Sequence, residues 1–304
     1  MENLNAPTAV SPLLFTVILS TYNRRDLVPR AIRSVLSQTF ADFEFIIIDN
    51  GSTDDTAYVI NEFKDARIRF LKNPNPTKSC DGPRNMGIEM ARGSLVSFID
   101  DDDIWYPERL EKVRQAFETH ADAVAVCHDE NIRVRGKVIR GRRYGPWTPD
   151  LFERLIYEGN CMSSCGTTLR VEALRQLGGF DLRREFDAVA DYDFWIRMAA
   201  EGMKVHFINE PLGEFSDTGF NETTVNPYIG ERIAAIAETH ILAHEKKILW
   251  RVSSRGMKRI LELYLIAART FLAGRYYRHA AGYLLKSALF LLMRPYLAVI
   301  FLKR

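Results

Sequence analysis

Residues 94–110 read SLVSFIDDDDIWYPERL. Leu95–Ile99 is short and apolar enough for a buried strand, and four carboxylates follow it without a break, Asp100 to Asp103. A helical pattern begins at Pro107. Strand, polar break and helix are the parts of a βα unit. The same unit recurs upstream. Phe15–Leu19 (FTVIL), Phe43–Ile48 (FEFIII) and Arg67–Leu71 read as strands, with helices over 25–38, 55–64 and 84–92 between them. In the first helix Leu27, Ala31, Ile32, Val35 and Leu36 share one face. Asp54 is placed to cap the second helix, Gly93 to end the third, and Pro107 to open the fourth, over 107–119. Four such units within about 110 residues predict an α/β fold: a Rossmann-like, mostly parallel central sheet with helices on both faces.

Ligands of open α/β sheets bind beyond the carboxyl ends of the strands. The polar clusters Ser20–Asn23, Asp49–Asp54 and Asp100–Asp103 follow the first, second and fourth strands, so three strand ends converge on one crevice. Four adjacent carboxylates repel one another and call for a cation. Hard oxygen donors suit Mn²⁺ or Mg²⁺, which commonly bind through one or two carboxylates together with substrate phosphates. The competing reading is a solvated acidic turn with Asp103 capping the next helix. The alternating ligand spacing of an EF-hand is missing.

The second half is less regular. A strand is expected over Ala123–Cys127, a hairpin over 131–141 turning at Arg135–Lys137, and helices over 149–158, 171–177 and 191–201. Extended segments cover 166–170 and Lys204–Ile208. From about Asn226 the chain reads as helical to its end. The division is a domain over 1–225, with 1–12 a flexible N-terminus, and a basic amphipathic helical region over 226–304.

With 304 residues, 47% hydrophobic and 26% charged, the composition suits one large globular domain or one with an appendage. MENLNAPTAVSPLLF lacks the basic and apolar stretches of a secretory signal. Cys80, Cys127, Cys161 and Cys165 have no metal-site or disulfide-framework spacing and read as reduced thiols of a cytoplasmic protein. The net charge of +2 conceals a division. Residues 245–304 hold 13 Lys+Arg and 2 Asp+Glu, a net +11, and the remainder carries −9. Such a tail suggests an anionic partner surface. Its apolar runs, over 258–272 and 276–293, fit an interfacial membrane anchor on the inner face of the cell membrane better than nucleic acid. Residues 284–302 approach the length of a span, but Lys286, Arg294 and Pro295 interrupt them. A helical packing or homo-oligomer surface is the alternative.

The stretches VILSTYNRRDLVPRAIRSVLSQTFADFEFIIIDNGSTDDT, GPRNMGIEMARGSLVSFIDDDDIWYPERL and DYDFWIRM resemble the family 2 glycosyltransferases of GT-A fold, in order and rough spacing, over about residues 14–220. The resemblance implies inverting transfer of a sugar from a nucleotide diphosphate to a glycan or lipid-linked acceptor in bacterial-type surface polysaccharide synthesis. It places Tyr22 against the base with Ser20 or Thr21 in contact. Asn50 stands where the family usually has an aspartate that reads the base edge, so uridine is favoured. Arg84, in PRN, helps hold the nucleotide. Asp100-Asp101-Asp102 resembles the family's D-x-D motif, with Asp102 on the metal, Asp100 or Asp101 on the ribose or a metal-bound water, and Asp103 capping or orienting. Asp191 aligns with the general base, Asp193 is the runner-up, and Gly178–Phe180 shapes an acceptor-side loop. SDTGFNETT (216–224) offers no histidine for the metal. A catalytically idle nucleotide-sugar-binding scaffold is the alternative, weighed down by the intact Asp191 and aspartate run. A nucleotidyltransferase would need a Gly-rich basic first loop, which is missing.

Overall fold

The continuous apolar runs become central strands, as burial on both faces demands. β1 (Phe15–Thr21) and β2 (Phe43–Asp49) are buried throughout, β4 (Leu95–Asp100) as far as its last residue, and β3 (Ile68–Lys72) forms the half-buried edge. The computed structural model describes residues 14–219, 221, 226–245 and 253–292; the N-terminal segment 1–12 and the charged ends of the C-terminal region, 246–252 and 293–304, lie outside them. The strands join one nine-stranded sheet in the order β3-β2-β1-β4-β8-β6-β9-β5, with β7 on the edge of β6. Here β5 is Ile104–Trp105, β6 Ala123–Val134, β7 Lys137–Arg142, β8 Thr167–Arg170 and β9 Lys204–Asp217. The block β3-β2-β1-β4 is wholly parallel and carries the alternation legible in the sequence. The second half is mixed: β8 runs antiparallel to β4 and β6, and β9 parallel to β6.

The sheet has an apolar layer on each face. Phe15, Val17 and Leu19 point into one cluster with Val28, Ile32 and Val35 of α1 (Val28–Leu36) and Leu110, Val113 and Phe117 of α4 (Arg109–Thr119). Ile18, Ile46, Ile48 and Phe98 enter the other. It includes residues of α3 (Asp81–Met90), α5 (Leu151–Glu158), α6 (Val171–Gln176) and α7 (Ala190–Ala200). The C-terminal helices α8 (Ile229–Glu245), α9 (Ser254–Ala273) and α10 (Tyr277–Leu292) add Ile236, Ile241, Ile260, Phe271 and Phe290 to it. Full burial of one such side chain contributes about 1.5–3 kcal/mol.

Several local expectations shift. The second helix is α2 (Thr56–Asn61), and Asp54 Oδ1 accepts from the Thr56 amide at 3.0 Å and its hydroxyl at 2.5 Å. The third helix ends at Met90 with an extended Ala91, so Gly93 is no helix terminator. Its value is proximity: a Cβ there would lie 2.5 Å from the Phe15 carbonyl carbon. The strand over Ala123–Cys127 runs on into the hairpin as β6, which turns through Arg135 and Gly136 at φ 46° and 80°. The last strand continues well past Ile208 through Pro211 and Gly213, because register shifts absorb the proline. At Gly213 it passes under β5, where a Cβ would meet the Ile104 carbonyl oxygen at 2.8 Å.

Candidate active site

Strand order reverses at β1, which lies between β2 and β4, and this creates a switch-point crevice. Register aligns its walls: Thr21 pairs with Asp49, and Ser20 with Asp100. The crevice opens into a cavity of about 1000 Å³. Ser20, Thr21, Tyr22, Asn50, Arg84, Asp100, Asp101, Asp102 and Asp191 all line it. The structure therefore brings these nine candidates together, while Asp103, Asp193 and Gly178–Phe180 are not among the lining residues. Tyr22 stands at the rim with 54% of its surface exposed.

The aspartates divide by their partners. Arg84 Nη2 donates to Asp100 Oδ1 at 2.6 Å, and Arg24 Nε lies 3.5 Å from Asp101 Oδ1. Asp102 is held through its backbone carbonyl by Arg30 Nη2 at 2.6 Å, and its Oδ2 accepts from Asn221 Nδ2 at 3.2 Å. Burial pushes the Asp101 carboxyl up to about 7, and the Asp102 and Asp100 charges add to the effect. Burial and the Asp100 charge push Asp102 up to about 6. The arginines thus leave the cluster short of positive charge. Clustered hard oxygen donors of this kind fit Mg²⁺ or Mn²⁺. Asp100, Asp103 and Cys165 also bring one atom each within 4.8 Å of one another. That trio suits such a cation poorly, since burial pushes the Cys165 thiol well up and keeps it protonated.

Asp103 does not cap α4. Its Oδ1 accepts from the Ser216 amide at 2.8 Å, tying the end of β9 to the aspartate loop. Its Oδ2 is buried without a partner among the described residues. Burial and the neighbouring Asp100 and Asp102 charges push this carboxyl well above the usual range. Its contact with the Ser216 amide makes it an orienting group.

Asn50 faces the cavity, but its amide is committed elsewhere. The carbonyl accepts from Asn73 Nδ2 at 2.9 Å and from the Thr77 amide at 3.0 Å. The NH₂ donates to the Thr77 carbonyl at 2.7 Å. Asn50 therefore organises the loop between β3 and α3, instead of offering a free edge to a base. Gly178–Phe180 also differs from expectation, being absent from the cavity wall. Phe180 N donates to Asn85 Oδ1, and Asn85 Nδ2 donates to the Phe180 carbonyl, both at 2.8 Å. Arg197 Nη2 donates to the Gly179 carbonyl at 2.8 Å. The segment is a clamp joining α3, which bears Arg84, to α7, which bears Asp191. Gly178 and Gly179 sit at φ 74° and 70°, a region that favours glycine.

Asp191 lies in the first turn of α7, on the cavity wall. Burial pushes its carboxyl up to about 6. That value suits a group which must be ionised at neutral pH yet basic enough to take a proton. Asp193 is unavailable. Its Oδ2 accepts from Arg197 Nε at 2.7 Å, and its Oδ1 contacts His240 Nε2 at 2.8 Å. Burial alone would raise its pKa, but these partners hold it below the usual range. Sequence reasoning missed other cavity residues: Arg24, Asp81, Arg142, Tyr144, and Ile233, Arg259 and Leu263 from the C-terminal helices. Arg24 adjoins the STYN stretch and could have been found there. Asp81 directly precedes GPRN and could have been found likewise; the rest lie far along the chain and carry no local signal.

A parallel half-sheet with an acidic crevice at its switch point, extended by a mixed half and C-terminal helices, defines a GT-A glycosyltransferase fold. Two solved structures share it. Staphylococcus aureus TarS residues 1–349, solved with UDP-GlcNAc, superposes with a TM-score of 0.64 at 17% identity, over 84% of this chain and 82% of that one. The mannosyltransferase PcManGT from Pyrobaculum calidifontis, solved with GDP-Man and Mn²⁺, gives 0.57 at 16% identity, over 94% and 82%. The chain belongs to glycosyl transferase family 2, whose model matches residues 16–178. Among relatives, the Escherichia coli UDP-Glc:alpha-D-GlcNAc-diphosphoundecaprenol beta-1,3-glucosyltransferase WfaP is 30% identical over 64% of this chain and 74% of its own. The putative colanic acid biosynthesis glycosyl transferase WcaA of E. coli K12 is 32% identical over 62% and 67%. Some matches are longer proteins: the chain spans only 37% of an uncharacterized Rickettsia felis glycosyltransferase.

Proposed function

We propose that this chain transfers a sugar, with inversion, from a nucleoside-diphosphate sugar to a hydroxyl of a lipid-linked glycan during cell-surface polysaccharide synthesis. The observation that carries the reading is the meeting in one cavity of the β1 and β4 ends, three aspartates and Asp191. UDP is the favoured donor nucleotide, supported by the named activity of WfaP and the ligand of TarS. Tyr22 stacks on the base, Ser20 and Thr21 line the nucleoside, and Arg84 with Asp100 and Asp101 frames the ribose and diphosphate. Asp102 holds the divalent cation, Mn²⁺ or Mg²⁺, which when bound supplies positive charge to the leaving diphosphate. Asp191 takes the acceptor proton as the acceptor oxygen bonds to the anomeric carbon. The bond to the diphosphate breaks, and the nucleoside diphosphate leaves with its electron pair.

Residues 1–225 form the donor-binding domain, and 226–304 close the acceptor side and meet the inner membrane surface. The outward stripes of α9 and α10 support this. Leu265 and Leu272, and Leu284, Leu285 and Leu289, are exposed alongside Arg269, Arg278 and Lys286. Among the described residues, no helix is long and apolar enough to cross a membrane. The reading is tested by thermal shift with UDP-, GDP-, dTDP- and CDP-sugars, with and without Mn²⁺. One nucleotide should stabilise the protein, and only with the metal. Asp102→Ala should abolish that response, and an unchanged metal dependence in the variant would remove Asp102 from the site.

A further inference from the structure

The cavity is electrically divided. At the β1–β4 end its arginines already face carboxylates: Arg84 faces Asp100, and Arg24 faces Asp101. Two further arginines line the same cavity. Arg142, at the end of β7, lies over the Tyr144 ring at 5.3 Å, and Arg259 of α9 stands beside the Tyr192 phenol, next to Asp191. Among the described residues Arg259 has no carboxylate ion-pair partner and spends a donor on the Tyr192 phenol, whereas Arg142 lies opposite the buried Glu130 in the β6–β7 ladder and acts on its carboxyl without a close ion pair. The Arg259 Nε is buried with no hydrogen-bond acceptor, although a guanidinium carries five donors and usually spends them.

The same wall is apolar. Arg259, Leu263 and Ile266 follow one another at i, i+4 and i+7 on α9, so they share a face. Ile229 and Ile233 of α8 join them. Close approach of the two helices at Gly230, where a Cβ would meet the Ala267 Cα at 3.1 Å, leaves no gap between them. A guanidinium with an unspent buried donor, joined on the lining by a second arginine and bordered by an apolar surface, is complementary to an anionic amphiphile, not to a neutral sugar or a second nucleotide.

Resting on the transferase reading above, we propose that Arg259 and Arg142 receive the diphosphate of a lipid-linked acceptor, whose first hydrocarbon units lie on Ile229, Ile233, Leu263 and Ile266. The acceptor sugar then reaches back toward Asp191. The two ends of the cavity differ in how they hold phosphate: the donor end through a metal, the acceptor end through guanidinium groups alone.

That difference supplies the test. Farnesyl diphosphate, farnesol and inorganic pyrophosphate are titrated against the full chain in EDTA, where the aspartate end repels phosphate. Farnesyl diphosphate should bind at least tenfold more tightly than either fragment. Arg259→Ala and Arg142→Ala should each weaken it about tenfold or more, and Arg259→Lys, which keeps the charge, by less. Nucleotide binding with Mn²⁺ should be unchanged in all three variants, which also shows that they fold. Equal binding of farnesyl diphosphate by wild type and both alanine variants would overturn the proposal, as would pyrophosphate binding as tightly as the full amphiphile. Failure of the wild type to bind any nucleotide with Mn²⁺ would sink the transferase reading instead, so the two failures are distinct.

Discussion

Asp191 shows how one residue can be set against the stability of its own fold. Folding raises its carboxyl to about 6, above the 3.8 of a free aspartate. A carboxyl raised on folding weakens the folded state at neutral pH, where it must remain ionised, and that penalty fades as pH falls through 6. Asp191→Asn should therefore stabilise the protein at pH 7.5, by roughly 1–3 kcal/mol. Transfer should fall about 10²–10⁴-fold, as loss of a general base does, while nucleotide affinity holds. In the wild type, kcat should drop about tenfold per pH unit below 6 as the base protonates, and the variant should lose this limb. Stopped transfer assays and urea melts from pH 5 to 8 read both effects. Asn50 makes the opposite point. Its place after the second strand was legible, but its work was not, because its partners Asn73 and Thr77 are set by the loop fold. Asn50→Asp would aim a carboxylate at the Thr77 and Ser79 carbonyls, which now accept from the amide. We expect a loss of about 1–3 kcal/mol in urea unfolding, and not the gain that a restored family aspartate would suggest.

Among the elements, those defined by local pattern were readable and those defined by distant pairing were not. The βα units announce themselves through apolar runs and helical faces. β5 is only two residues long and exists because β9 passes beside it, over a hundred residues later. The Gly178–Phe180 clamp is likewise invisible without Asn85 opposite it. It also mechanically joins two walls of the candidate site, since Arg84 and Asp191 sit on the helices it connects. A Cβ at Gly179 would lie 2.5 Å from Asn85 Oδ1, at a φ of 70°. Gly179→Ala should therefore cost roughly 2–4 kcal/mol, from left-handed strain together with the disturbed hydrogen-bond pair. If the clamp also positions the site, nucleotide affinity should fall in the folded variant. Isothermal titration with nucleotide and Mn²⁺, run well below the variant's melting point, separates the two consequences.

For the whole molecule, the charge asymmetry of the sequence acquires a shape. The described helices of the basic region pack onto the body, because their Ile236, Ile241, Ile260 and Phe271 share the core that holds Phe98 and Trp195. Removing it would expose that core, so deletion cannot test membrane attachment cleanly. Its outer face can be changed without touching the core. Leu285 and Leu289 lie one helical turn apart on α10, at 60% and 51% exposure, and neither lines the cavity. If this face seats in a lipid headgroup region, each leucine contributes up to about 1.5–3 kcal/mol of buried apolar surface. The double change Leu285→Glu and Leu289→Glu also sets negative charge against anionic lipid. Partitioning onto phosphatidylglycerol vesicles should fall by well over tenfold, with the melting temperature nearly unchanged. Half a molar salt should weaken the wild type's binding only in part, because screening removes the contribution of Arg278 and Lys286 but not that of the leucines. Turnover of a soluble acceptor analogue should stay intact, while turnover of a vesicle-embedded acceptor falls with binding. Equal flotation of wild type and double variant would instead assign this stripe to a protein contact, and analytical ultracentrifugation of the two would then reveal the oligomer it covers.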